Sequence, residues 1–222
     1  MGLNFWFKKA IDRVKEESFN YENAWGSLDD VNLFASLYQE SIEDKKIVLV
    51  DREQEKALVL DYFTRFSENY LKRVRRKLWS ISKKKFRYAS HLTLTIDPKF
   101  FSSLKQAWRG IQQRSNILLT RIRKKYPRIK FLKTAEFQKN GAPHLHVLLL
   151  NAPYIPHEEL EAMWKLGFIS IRQVSVKKGL NYIIKYITKA DEQNTNLLWA
   201  LRARCYSCSR GLLDNYKTNS NS

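Results

Sequence analysis

Cysteines, glycines, prolines and long apolar runs are scarce in this 222-residue chain, and beyond its first third acidic residues become scarce too. No stretch approaches the roughly 18 apolar residues of a membrane span, so no transmembrane segment is expected. The opening residues MGLNFWFKK lack a proper apolar core and a small-residue cleavage site, so no signal peptide is read; a helix lying on a membrane surface is the weaker reading there. Seven glycines and five prolines argue against long flexible linkers. The two cysteines, Cys205 and Cys208, have C-x-x-C spacing. Without a second Cys or His pair nearby they fall short of a zinc site, and they read as two thiols in a reduced cytosol.

What is plentiful is positive charge and apolar mass. A hydrophobic share of 44% and an aromatic share of 13% allow a packed core, and the length suits one well-buried domain plus an appendage. The net charge of +18 is unevenly spread: residues 1–71 hold 9 Lys and Arg against 14 Asp and Glu, whereas residues 72–222 hold 31 against 8, a balance of +23. Nucleic acid is the natural partner of such a segment, because each neutralised phosphate releases condensed counterions. The densest run is Lys72, Arg73, Arg75, Arg76, Lys77, Lys83, Lys84, Lys85 and Arg87, with no acid among them. A charge run is ordinarily a solvated face, but one sign alone at this density points to contacts with a phosphate backbone.

Residues 1–70 read mostly as helices. One starts near Asp29-Asp30, ahead of Val31, Leu33, Phe34 and Leu37. A longer one is expected over 53–79 from the spacing of Leu58, Leu60, Tyr62, Phe63, Phe66, Tyr70 and Leu71. From Phe86 the texture changes. Strands are expected over 91–96, 129–137, 143–150 and 167–176, and helices over 99–125, from Pro156, over 179–189 and over 193–206, with a turn at Lys139-Asn140-Gly141. Interleaved helices and strands with one tight hairpin make the class α+β, a central antiparallel sheet with flanking helices. The domain reading is a helical N-terminal region of unknown role (1–80), a catalytic domain (81–212) and a polar tail (213–222).

The chemistry concentrates in three places. In a strand over Pro143–Leu150, His144 and His146 project to one side while Leu145 enters the core, giving two imidazoles side by side. Alone, a His-x-His strand is unspecific. The preceding strand carries Glu136. A two-residue Asn-Gly turn would put it on the opposite face, but a three-residue loop ending in a left-handed Gly141 pairs 136 with 144. Two nitrogens and a carboxylate leave coordination positions open, as a catalytic metal needs. His91 and His157 lie outside this pattern and read as ordinary polar residues. Third, Tyr182 and Tyr186 stand four apart on a helix and share a face, with Lys185 and Lys189 each three residues beyond a tyrosine. A phenol is a poor nucleophile at neutral pH unless nearby cations favour its phenolate. The plainer alternative is an amphipathic helix with tyrosines half in the core.

Taken together, His91-Leu-Thr-Leu-Thr-Ile96, Glu136 with His144-Leu145-His146, and Tyr182-Ile-Ile-Lys185-Tyr186-Ile-Thr-Lys189 resemble the three motifs of the HUH endonucleases. The resemblance covers residues 86–210, and within the superfamily it is to the rolling-circle replication initiators (Rep proteins) of plasmids and small DNA viruses, two-tyrosine branch. It implies a ferredoxin-like or RRM-like fold with the histidine strand central. It also implies Mg²⁺ or Mn²⁺ on His144, His146 and Glu136, and attack by a tyrosine that leaves a 5′-phosphotyrosine bond and a free 3′-OH. Lys185 or Lys189 would assist. The partners implied are single-stranded DNA at a replication origin and the host's helicase and polymerase, in the cytoplasm of a prokaryotic host. No phosphate-binding Gly-rich loop is present, so a fused helicase is not expected within these residues. The rivals are a transposase or relaxase with the same chemistry, an RRM-like single-strand binder using Tyr88 or Trp199 for stacking, and a repressor using the basic helix near 72–87.

Overall fold

The computed structural model describes residues 28–62, 64–138, 141–189 and 191–213. The readings made for the first residues, for the polar tail beyond 213, and for Lys139 and Asn140 lie outside them. The chain divides into two compact units, residues 1–43 and 44–222. Within the first, helix α1 (Leu28–Ile42) opens with Asp29 and Asp30 in its first turn, where the helix dipole favours acids.

The second unit begins differently from expectation. Where a helix was expected over 53–79, the chain forms a two-stranded hairpin, β1 (Lys46–Asp51) and β2 (Lys56–Asp61), followed by the shorter helix α2 (Glu68–Trp79). The four-residue intervals 58–62, 62–66 and 66–70 read as helical, but Leu58 and Leu60 stand two apart as in a strand, and β-branched Ile47, Val48, Val50 and Val59 tip the balance. The turn is held by Asp51, whose carboxylate accepts from the amides of Glu53 and Gln54, and Glu55 takes a left-handed φ of 51°. Helix α2 starts at Ser67, whose hydroxyl accepts from the Tyr70 amide.

The body is a five-stranded sheet. It is built from β3 (Ala89–Thr95), β4 (Lys130–Phe137), β5 (Pro143–Leu150), β6 (Ile169–Val174) and the short β7 (Tyr206–Cys208), in the order β6-β3-β5-β4-β7 with every pairing antiparallel. The fold is therefore α+β as expected, and the histidine strand β5 is the middle one. Helix α3 (Leu104–Lys125) covers one face. There Lys133 of β4 is buried with its ammonium donating to Gln112, Ser115 and Asn116, and burial alone pulls its pKa down to about 8. After α4 (His157–Trp164), α5 (Val176–Thr188) lies on the other face and packs against α2 as well. Leu180, Ile183, Ile184 and Ile187 of α5 join Leu132 and Leu148 of the sheet and Val74 and Leu78 of α2 in one apolar core. The expected helix over 193–206 stops early. Helix α6 spans Glu192–Ala200, and the chain then turns into β7, because pairing of Tyr206 with Thr134 gives the backbone a sheet partner.

Gly179 sets how closely α5 approaches the sheet. A Cβ there would sit 2.5 Å from Leu148 Cδ1 and 3.1 Å from Val174 Cγ2. Leu148 is fully buried, so it would have to shift against packed neighbours. Gly179→Ala is therefore expected to destabilise the domain by about 1–3 kcal/mol through overpacking, read as a lowered midpoint in thermal or urea unfolding. An unchanged midpoint would show that the helix can lift without cost.

Candidate metal and tyrosine site

The register of the β4–β5 hairpin decides the site. Glu136 pairs with His144 and Thr134 with His146. The loop is the three-residue kind: the Gln138 amide donates to the Ala142 carbonyl, the Gly141 amide donates to the Gln138 carbonyl, and Gly141 has φ 81°. Glu136, His144 and His146 thus share one sheet face, and one ligand atom from each lies within 4.8 Å of the others. His146 Nε2 is 3.1 Å from Glu136 Oε2.

Burial, chiefly, moves the imidazoles toward their neutral forms. The His146 pKa falls to about 3, first through burial and then through His144. His144 is lowered by burial, with Glu136 opposing. The contact between His146 and Glu136 is therefore a hydrogen bond from a neutral ring rather than an ion pair. Nδ1 of His144 and Nδ1 of His146 are both buried without a partner. Neutral, dry imidazoles with unused nitrogen beside a carboxylate suit a divalent cation, which would satisfy groups otherwise costly to bury.

Helix α5 brings both tyrosines onto this cluster. The Tyr186 ring lies over His146, centroids 4.0 Å apart, and the two phenol oxygens are 3.0 Å apart. Tyr182 is 42% exposed, whereas Tyr186 is half-buried. Burial first, then the hydrogen bond to Tyr182 and the nearby charge of Glu136, push the Tyr186 phenol above its ordinary range. Without an added positive charge the protein alone disfavours its phenolate.

The two lysines part company. Lys189 Nζ is 3.6 Å from Glu136 Oε1 and 3.0 Å from Asp191 Oδ2. Lys185 is exposed and lines a groove of about 350 Å³ with Arg75, Trp79, Asn181, Ile184, Thr188 and Lys189. Arg75 reaches α5 directly, its guanidinium donating to Thr188 Oγ1 at 3.2 Å. The basic helix therefore meets the tyrosine helix along this groove. Arg73 and Arg76 are exposed on α2, and Lys83, Lys85 and Arg87 are exposed in the segment after it. Lys84 is tied down instead, donating to the Gly211 carbonyl at 2.6 Å.

Two neighbours escaped the sequence reading. His91, taken there as an ordinary polar residue, is buried on β3, stacked on His146 at 5.3 Å and edge-on to Tyr182 at 4.5 Å; its Nε2 is without a partner. The signal was strand parity: His91 shares its face with Thr93, which pairs with His146. Asp191 caps α6 through the Asn194 amide while holding Lys189, and no motif marks it. His157 behaves as read, half-exposed with Nε2 on the Ile169 carbonyl. Trp199 packs edge-on to Phe66 at 6.2 Å, whereas Tyr88 is exposed. Neither Cys205 nor Cys208 is in a disulfide, and Cys205 lies in the core with its sulfur 3.2 Å from the Tyr70 hydroxyl. No helix among the described residues is long and apolar enough to cross a membrane.

Residues 89–191, which hold every member of this cluster, match the family described as replication-associated protein ORF2/G2P. The chain is 31% identical over 207 residues to "Uncharacterized protein 1" of Halorubrum pleomorphic virus 1, an alignment covering 78% of this chain and 41% of the relative. The chain thus spans about two fifths of the length of the curated relative it matches. No solved structure is significantly similar. The matched segment and the site coincide, so the similarity to the replication-associated family falls on the residues that form the cluster.

Proposed function

We propose that this protein nicks and rejoins single-stranded DNA by tyrosine transesterification of the HUH kind, and so initiates rolling-circle replication. The observation that carries the reading is the placement of Tyr186 directly on His146, within a cluster of two neutral histidines and a glutamate. A divalent cation held by Glu136, His144 and His146, Mg²⁺ or Mn²⁺, would supply Lewis-acid polarisation of the scissile phosphate.

The chain's own residues supply the rest. Tyr186 Oη attacks phosphorus, its bond to phosphorus forms, and the bond from phosphorus to O3′ breaks. The strand is left with a 5′-phosphotyrosine end and a 3′-OH, the phenol proton ending on O3′. Tyr182, hydrogen-bonded to Tyr186, then serves as the second nucleophile. Lys189 offsets charge on the phosphate. His91 holds the Tyr182 ring edge-on. The groove beside Lys185 and Arg75 gives the strand a cationic path, with Trp79 available for stacking. Arg73, Arg76, Lys83, Lys85 and Arg87 extend that path as phosphate contacts. Lys84, bonded to Gly211, contributes charge but not reach. The free 3′-OH primes the host polymerase.

The direct test incubates the protein with labelled single-stranded origin DNA and Mn²⁺ and runs the products on a denaturing gel. A covalent protein–DNA band is expected. Binding without any adduct would reduce the protein to a single-strand binder. Binding should also be steeply salt-dependent. With about six phosphates contacted, affinity is expected to fall on the order of a thousandfold between 50 and 200 mM salt, and neutralising Arg73, Arg75 and Arg76 should shallow the slope for all sequences alike. A flat profile in a filter-binding or anisotropy titration would point to another partner.

A further inference from the structure

The hairpin β1–β2 is out of keeping with a surface element. Its strands read Lys-Ile-Val-Leu-Val-Asp and Lys-Ala-Leu-Val-Leu-Asp, so both faces of the ribbon are apolar between charged ends. Near-continuous apolar strands are the mark of a sheet covered on both sides. Yet all twelve residues are exposed, Val50 to 62% and Val59 to 60%. Neither strand has a sheet partner besides the other among the described residues, so each presents an open edge. Two strands alone are marginal in water, and a long exposed apolar edge is a template for another strand.

The charge order names the partner. Each strand begins with Lys and ends with Asp, separated by four apolar residues. Laid antiparallel against its own copy, β1 puts Lys46 opposite the other copy's Asp51 at both ends and Val48 opposite Leu49 at the centre. Within the hairpin Lys46 already pairs with Asp61, and Asp51 with Lys56. A four-stranded sheet made this way therefore alternates in sign along both charged rows. Such a contact is self-complementary about a two-fold axis, which closes a dimer. Nucleic acid is a poor occupant, because residues 46–61 carry three basic and four acidic side chains in a chain of net charge +18. A membrane surface is also a poor match, since it favours apolar faces flanked by Lys and Arg rather than Asp and Glu.

We propose that the hairpin is a self-association arm, and that two copies of this chain join through antiparallel pairing of their β1 edges. Val48→Lys with Leu49→Lys puts a cation on each face and sets like charges opposite at the two-fold. The full chain is measured by sedimentation or light scattering, with and without neutral and anionic phospholipid vesicles. The wild type is expected near twice its 26.4 kDa, and the double variant near 26.4 kDa with its thermal transition retained. A milder variant, Lys46→Glu with Asp61→Lys, keeps an ion pair within the hairpin, sets Glu against the other copy's Asp51 at both ends, and should weaken the dimer about tenfold. A monomeric wild type at micromolar concentration, a double variant that stays dimeric, or a monomer that floats with vesicles overturns the proposal. Nicking is not read in this test, so its outcome is independent of the proposed chemistry.

Discussion

His146→Ala is expected to abolish nicking, with a fall on the order of a thousandfold or more, while leaving DNA affinity nearly intact. The loss follows from the site's construction. His146 is 3% exposed, carries the Tyr186 ring, and supplies one of the three atoms grouped with Glu136 and His144. Losing Lewis-acid stabilisation worth several kcal/mol costs about tenfold in rate for each 1.4 kcal/mol. Under the proposed function affinity survives, because the phosphate contacts proposed for α2, the segment after it and the groove beside α5 do not involve His146. His144→Ala should behave alike, and chelation with EDTA should reproduce both, reversed by added Mn²⁺. The same gel that reads the covalent band checks all three. Full activity in EDTA would end the metal reading, and a parallel loss of DNA affinity in His146→Ala would mean that the substitution had collapsed the site.

Tyr186→Phe is expected to eliminate the first covalent adduct, whereas Tyr182→Phe should still nick once and fail in a repeated cycle or at termination. Spacing did not choose between the two tyrosines, because both stand on one helix face with lysine three residues on. The structure separates them by environment: Tyr186 lies over His146, half-buried, and Tyr182 is more exposed and lies against His91. The elevated Tyr186 pKa cuts the other way, since it disfavours the phenolate. That opposition is the physical reason to expect activity only with a cation present, because a nearby positive charge favours the ionised phenol. Substitution by phenylalanine removes one oxygen and keeps the ring, so packing against His146 should persist. Equal adduct rates from the two single variants would make the tyrosines interchangeable, and an adduct from the double variant would remove the helix from the chemistry.

Much of the site was legible because it rests on short-range periodicity. Residues two apart in a strand share a face, residues four apart in a helix share a face, and a three-residue loop ending in a left-handed glycine fixes a hairpin register. Those rules, applied to His144, His146, Glu136, Tyr182 and Tyr186, are local and survive folding. The same rules misled over residues 53–79, where the intervals 58–62, 62–66 and 66–70 satisfy a helical count although Leu58 and Leu60 stand two apart as in a strand. Pairing of β2 with β1, set by the turn that Asp51 holds, decided between them.

What tertiary structure alone decided lies where elements meet. Lys185 and Lys189 are equivalent in sequence, but α5 ends at Thr188, so Lys189 leaves helical geometry and its ammonium reaches Glu136 and Asp191. Lys185 stays on the helix and faces Arg75 across the groove, because α2 docks there through Val74 and Leu78. His91 joined the cluster only when β3 paired with β5 and put Thr93 opposite His146. The sequence by itself determined which side chains each strand and helix presents together, since that follows from backbone period. The docking of one element on another, and hence which presented groups become neighbours, depends on the burial of apolar faces far apart in the chain, which only the folded packing resolves.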